Sequence, residues 1–350
     1  MEINIDFLVA GCNTRCKHCY VNGGPGPLMP TDDALLCVEK LDEMAKYLPK
    51  GTSLTLDHEP MNHPGLPQIL RAVSRAENIV NYHHGMTTGV GLMRRKDKEA
   101  VVQSYLENGY HNFGITIHGA AAHHDEITRR RGSYDASVAA AKFLMDMGGK
   151  VEVSLMMNRF FAEDADAISR LVDDLGTENI WFAIPIFTPH SNGMVFEPYR
   201  AALDVLEEIR DHLCRWHQNA RDLLETARKN TIGAAAERLR GMDLRQLWET
   251  EQTELYLTLH QDCKLYVGNS GSETRCLGDL RELDIQETAE TICALPGNRD
   301  YGAFYDTMDL PSTEAVCRTL EAMPRNLVYG DFESILYRAL AELHIPTKIL

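Results

Sequence analysis

Basic residues are in short supply: 35 lysines and arginines stand against 51 aspartates and glutamates in 350 residues, a formal net charge of −16. A surface of that sign repels phosphate backbones, so nucleic acid is not expected as a substrate. No apolar run approaches the roughly 18 residues a membrane helix needs. The start, MEINIDFLVAGC, has neither a basic n-region nor an apolar h-region of useful length. These absences predict a cytoplasmic protein with no membrane partner. Internal repeats and low-complexity tracts are also missing. An even set of cysteines is lacking too: nine, in a long chain without a secretory signal, disfavour a disulfide framework. Where thiols cluster, metal or redox chemistry is the alternative.

With 44% hydrophobic residues the chain can bury one large core and a smaller annex, since single cores stop growing near about 250–300 residues. Residues 2–9 alternate and then run apolar, as a buried strand does, and stop at Gly11. Thr31-Asp32-Asp33 then open an amphipathic helix. Strand patterns at 53–56, 78–82, 112–117, 150–157 and 179–186 alternate with helical ones at 66–76, 97–108, 133–147 and 162–175. Six strands alternating with helices demand parallel pairing through crossovers, which predicts an α/β fold. Two units short of a closed eight-fold barrel, it reads as a partial (β/α)6 TIM-like barrel with its chemistry on the loops after the strands. Past Pro198 the pattern turns helical to about residue 250, and 255–260 with 264–267 reads as a hairpin ahead of a terminal helix at 332–343. The expected domains are therefore 1–198 (barrel), 199–250 (helical) and 251–350 (a cap with a small hairpin extension).

Cys12, Cys16 and Cys19 form a CxxxCxxC motif directly after the first strand. Three thiolates on a four-iron cubane leave one iron open to an exchangeable ligand. A structural zinc site would need a fourth ligand, which His18 or a distant cysteine could supply. That alternative predicts a non-catalytic metal-binding scaffold.

The motif resembles the signature of the radical S-adenosylmethionine (SAM) superfamily, in which His18 falls at the position usually held by an aromatic residue. Further stations of that family follow in order over about residues 5–195. Asp57-His58-Glu59-Pro60 stands where the family has GGEP, with both glycines replaced. Thr87-Thr88-Gly89 matches a TNG-like turn. Thr116-Ile117-His118-Gly119, with the following HHDEITRRRGSY, matches the passage after the fourth strand. The resemblance implies a [4Fe–4S] cluster on Cys12, Cys16 and Cys19. It also implies SAM bound through its methionine amino and carboxylate groups, and an external one-electron donor of flavodoxin or ferredoxin type. Reductive cleavage of SAM would then give a 5′-deoxyadenosyl radical that abstracts a substrate hydrogen. It assigns Glu59 to the SAM amino group, with Pro60 beside it, and Thr88, Thr116 and His118 to the cofactor. Arg130 or Arg131 is the candidate carboxylate clamp. Ser154, Asn158 and His190, at or past strand ends five and six, are weaker cofactor candidates.

The stretch LTLHQDCKLYVGNSGSETRCLGDLREL resembles the hairpin of the SPASM or twitch domains that follow many such barrels, and Cys263, Gly271 and Cys276 give C-x7-G-x4-C. Cys263 falls in the hairpin turn and no CxxC follows, so a cap without an auxiliary cluster is expected. With the first strand starting at residue 3, a small polar metabolite in a biosynthetic pathway is the expected substrate. Maturation of a ribosomally made peptide is the alternative.

Overall fold

The computed structural model describes the chain except for residues 178, 189–190, 218–219, 249–251, 299–309 and 344–350. Ten strands are described: β1 (Glu2–Phe7), β2 (Ser53–Leu56), β3 (Val80–Asn81), β4 (His84–Met86), β5 (Asn112–Ile117), β6 (Lys150–Met156), β7 (Ile180–Ala183), β8 (Glu254–Leu259), β9 (Lys264–Val267) and β10 (Arg275–Asp279). One sheet runs β10-β9-β8-β1-β2-β3 and a second runs β4-β5-β6-β7. From β1 to β7 every pairing is parallel. The six expected barrel strands are thus present, the third of them broken in two.

The break falls at Tyr82 and His83. The ring of His83 packs edge-on against Tyr110 at 5.0 Å, and a side chain on Gly85 would meet the ring of Phe113 at 2.7 Å. Ring packing from the next unit displaces the chain here, so the expected strand over 78–82 becomes β3 and, one step on, β4. The shift matters because β4 ends at Met86 and delivers Thr87 directly to the mouth of the barrel.

Helices α1 (Thr31–Ala45), α2 (Leu66–Arg75), α3 (Val90–Arg94), α4 (Lys98–Glu107), α5 (Ala121–Thr128), α6 (Ser133–Asp146) and α7 (Phe161–Leu175) connect the strands. Each turns an apolar face inward: in α1 Ala34, Cys37, Val38, Leu41 and Met44 are buried, at the i, i+3, i+4, i+7 spacing of one helix stripe. A single apolar core includes these residues, the strand interiors and residues as far as Val328. A second, smaller core gathers Ile232, Leu239, Val316, Leu320, Ile335 and Leu336.

After residue 200 the structure departs from expectation in two ways. The helical stretch to residue 230 is three short helices, Leu203–Glu208, Arg210–Trp216 and Ala220–Lys229, and the next is Ile232–Leu239 and Leu244–Trp248. Tertiary contacts bound the first stretch at both ends: Leu203 N donates to Asn326 O, and isolated bridges join Ala202 to Leu327 and Thr231 to Val328. The expected hairpin is present as antiparallel β8 and β9, but β8 also pairs parallel with β1 over six residues. The hairpin therefore continues the barrel's own sheet. No helix among the described residues is long and apolar enough to cross a membrane.

Candidate active site at the barrel mouth

The cysteine loop leaves β1 through Gly11 and is clamped on both sides. Cys12 N donates to Gly24 O at 2.8 Å, closing the loop on its own far end. A Cβ on Gly11 would lie 2.3 Å from Gly26 N and 2.7 Å from Gly24 O, so only glycine permits this approach. Asn62 Nδ2 donates to Gly11 O at 2.7 Å, and its Oδ1 accepts from Asn13. Across the mouth, Arg15 N donates to Thr128 O, Lys17 N to Ile127 O, and the Arg130 guanidinium to Asn13 O at 2.7 Å.

Within the loop, Thr14 Oγ1 lies 3.2 Å from Cys12 Sγ and 3.4 Å from Cys16 Sγ, while Gly23 N donates to Cys19 Sγ at 3.0 Å. Burial pushes the Cys12 thiol up to about 12 and Cys19 up to about 11, and raises Cys16 further. Each thiolate also repels at least one of the others. Three clustered thiols that the protein itself does not ionise suit a cationic metal centre, which supplies the missing positive charge. Among the described residues, Cys16, His18 and His118 bring donor atoms within 4.8 Å of one another.

Beside the loop lies a cavity lined by Thr14, Cys16, His18, His58, Met86, Thr87, Thr88, Thr116, His118, His124, Thr128, Ser133 and Ser137. Its lining side chains carry hydroxyls, imidazoles and a thiol, with neither acid nor permanent cation, and most of the wall surface they present is apolar. Burial holds His18 and His124 down to about 4 and lowers His118 as well, so the rings are neutral. His18 Nε2 and His118 Nδ1 are buried with no hydrogen-bond partner. Buried polar atoms left unmatched by the protein are matched by what the cavity receives.

Thr88, Thr116 and His118 line this cavity, as the motif expectations require of cofactor contacts. Glu59 does not. Fully buried, it accepts hydrogen bonds from Thr87 Oγ1 at 2.5 Å and from Thr88 N and Thr88 Oγ1 at 2.7 Å each. Burial raises its carboxyl group against the lowering effect of those three bonds. Pro60 opens the one-turn helix Pro60–Asn62, whose end carries the Asn62 clamp. Arg130 grips the cysteine loop and Arg131 is exposed; neither lines the cavity. Ser154 sits on β6 opposite Thr116 and also lies outside the lining. Asn158 is buried and donates to His118 O at 2.7 Å. His190 lies outside the described residues.

Several residues inside these motifs take roles that their spacing did not assign. Asp125 accepts from Ser133 Oγ and Tyr134 N at 2.9 Å, capping α6 and shaping the Arg129–Gly132 turn. His58 takes a left-handed φ of 63° where the resembled motif has glycine, and lines the cavity. In the C-terminal hairpin Cys263 is buried against Cys37 while Cys276 is exposed beside Tyr266.

A parallel partial barrel with a three-cysteine loop after its first strand, beside an uncharged cavity, is suited to metal-dependent cofactor chemistry. Residues 7–175 match the family model described as the radical SAM superfamily, a catalytic family that uses a [4Fe–4S] cluster and SAM. Among curated proteins it is similar to the pre-heme d1 synthase of Dinoroseobacter shibae, 24% identical over 190 residues, which is 53% of this chain and 44% of that one. It is also similar to the antilisterial bacteriocin subtilosin biosynthesis protein AlbA of Bacillus subtilis, 25% identical over 183 residues, 51% of this chain and 38% of AlbA. The chain thus spans under half the length of these relatives. Among solved structures, anSMEcpe with bound AdoMet and Cp18Cys peptide superposes with a TM-score of 0.56 at 9% identity, covering 99% of this chain and 97% of that one. Streptococcus suis SuiB bound to precursor peptide SuiA gives 0.55 at 10% identity, covering 94% and 74%. At these identities the likeness is one of fold, and it extends past the barrel into the C-terminal region.

Proposed function

We propose that this radical SAM enzyme abstracts a hydrogen atom from a small polar metabolite in a biosynthetic pathway. The observation that carries the reading is the cavity beside the cysteine loop, lined by threonine, serine and neutral histidine with no charged side chain. When bound on Cys12, Cys16 and Cys19, the cluster supplies the electron that breaks the sulfonium–carbon bond of SAM. The chain's own residues do the holding. Thr88, Thr116 and His118 contact SAM, and Glu59 acts through Thr87 and Thr88, orienting them by the hydrogen bonds it accepts. Arg130 and Asn62 hold the cysteine loop at the mouth, with Pro60 starting the turn that carries Asn62. Ser154 supports Thr116 from the neighbouring strand. Excluding water from this pocket protects a reactive radical.

A second reading, modification of a peptide, is favoured by the similar structures solved with bound peptides, SuiB and anSMEcpe. The two are separated by measuring 5′-deoxyadenosine formed by the reconstituted enzyme with SAM and dithionite, in the presence of a cell extract fractionated by size. Stimulation by the low-mass fraction that survives peptidase treatment supports the metabolite. Stimulation confined to a peptidase-sensitive fraction replaces it with the peptide.

A further inference from the structure

On a chain of net charge −16, the ground around the cysteine loop carries the opposite sign. Arg15 and Lys17 lie inside the CxxxCxxC segment, and their backbone N–H groups bond to Thr128 O and Ile127 O. That pairing places Arg129, Arg130 and Arg131 alongside them. Arg159 completes the set: its guanidinium lies 5.0 Å from the centre of the Tyr199 ring, whose centre is 3.6 Å from Lys17 Nζ. Six basic side chains therefore form one rim.

The acids nearby offset only part of it: Glu126 pairs with Lys17 at 3.3 Å, Asp125 turns its carboxylate to Gly132 N, Ser133 Oγ and Tyr134 N, and Asp164 is buried against His123. Arg15, Arg129 and Arg131 are exposed and make neither hydrogen bond nor ion pair among the described residues. Exposed arginines on so acidic a protein would ordinarily find a carboxylate. None of the six lines the cavity, so a small anion bound there does not account for them.

We propose that this rim is the docking surface for an acidic one-electron carrier protein. The proposal rests on the radical SAM reading, which requires an electron from outside. The rim lies on the outer side of the segment that carries Cys12, Cys16 and Cys19, so a carrier seated on it meets the cluster's own ligand loop. Charge complementarity of this kind steers encounter and raises association rates by orders of magnitude at low salt, an effect that salt screens. Elsewhere the molecule's negative charge repels an acidic carrier, which makes the rim selective as well as attractive.

The test is anaerobic stopped-flow reduction of the reconstituted full chain, followed by bleaching of the cluster's visible absorption. An acidic flavodoxin hydroquinone serves as one donor and the methyl viologen radical cation, which needs no docking surface, as the other. The variant Arg129→Glu/Arg159→Glu is compared with wild type and with Arg129→Lys/Arg159→Lys. The expected result is a fall of roughly tenfold or more in the flavodoxin rate constant at low ionic strength. That loss should close in high salt, be absent from the lysine variant, and leave the viologen rate within about twofold of wild type. An unchanged flavodoxin rate overturns the proposal. So does a loss shared by both donors or persisting in high salt, which would mark damage to the loop, and so does weakened SAM binding at an unchanged flavodoxin rate. A wild-type protein that neither donor reduces contradicts the enzyme reading itself, and is thereby distinguished from failure of the rim.

Discussion

Gly11→Ala isolates the cysteine loop from the rest of the fold. A Cβ at this position would sit 2.3 Å from Gly26 N, 2.7 Å from Gly24 O and 2.8 Å from Gly26 Cα, all backbone atoms, so no side chain can rotate away. Gly11 does not have a positive φ, and the penalty is therefore steric and not conformational. The gap must open by about 1 Å, an overpacking that costs about 1–3 kcal/mol. The Cys12 N–Gly24 O bond is lost with it, for about 1 kcal/mol more. On the other side of the gap residues 25–28 are exposed, whereas β1 is buried between β2 and β8. The 24–28 segment yields and the core stays. The variant should therefore fold with a native circular dichroism spectrum and a melting temperature lowered by a few degrees. After reconstitution it should hold well under half the iron and sulfide of wild type, because the three ligands no longer share one geometry. Gly51→Ala is the control, with a φ of 95° and nothing within 4 Å of its would-be Cβ. It should cost about 1 kcal/mol through its backbone and leave iron uptake unchanged. Full iron content in the Gly11→Ala variant would refute the argument that loop closure organises the ligands.

Two further outcomes follow from the site. At His58 the left-handed backbone penalises any Cβ, while the ring's contact with Ser270 Oγ at 3.1 Å offsets part of that cost; His58→Gly should be more stable than His58→Ala by about 1 kcal/mol in chemical denaturation, and the reverse order would show the strain to be absent. Burial holds His18 down to about 4, so its neutral ring contributes stability that is fully present above about pH 6.5 and is lost as pH falls towards 4; His18→Phe should flatten that acid limb in the cluster-free protein, and an unchanged slope between pH 6.5 and 4 would contradict it.

The barrel half of this chain was legible because its signals are local. Buried parallel strands read as short apolar runs, their helices as stripes, and the cysteine spacing sits within one loop. What escaped depended on partners far away in sequence. Nothing in ELYLTL says that it will lie parallel to β1, and nothing around the 203–229 segment says that its two ends will be tied to residues 326–328. At the site the same distinction holds. Thr88, Thr116 and His118, picked out by their motif stations, line the cavity. Glu59 was expected at the cofactor and lies behind Thr87 and Thr88, since burial and three donors fix its carboxylate there. Arg130 was expected to face a carboxylate and instead donates to Asn13 O. Sequence spacing places a residue on a loop, whereas the direction of its side chain is decided by the acceptors the fold brings within reach.

The central claim is that Cys12, Cys16 and Cys19 hold a cluster that cleaves SAM reductively. Its most direct test is 5′-deoxyadenosine formation by anaerobically reconstituted protein with SAM and dithionite, measured beside a Cys16→Ala variant. The account predicts product from the wild type and none above background from the variant. A wild-type protein carrying a full iron–sulfur complement that forms no 5′-deoxyadenosine, or a variant that matches it, would contradict the account.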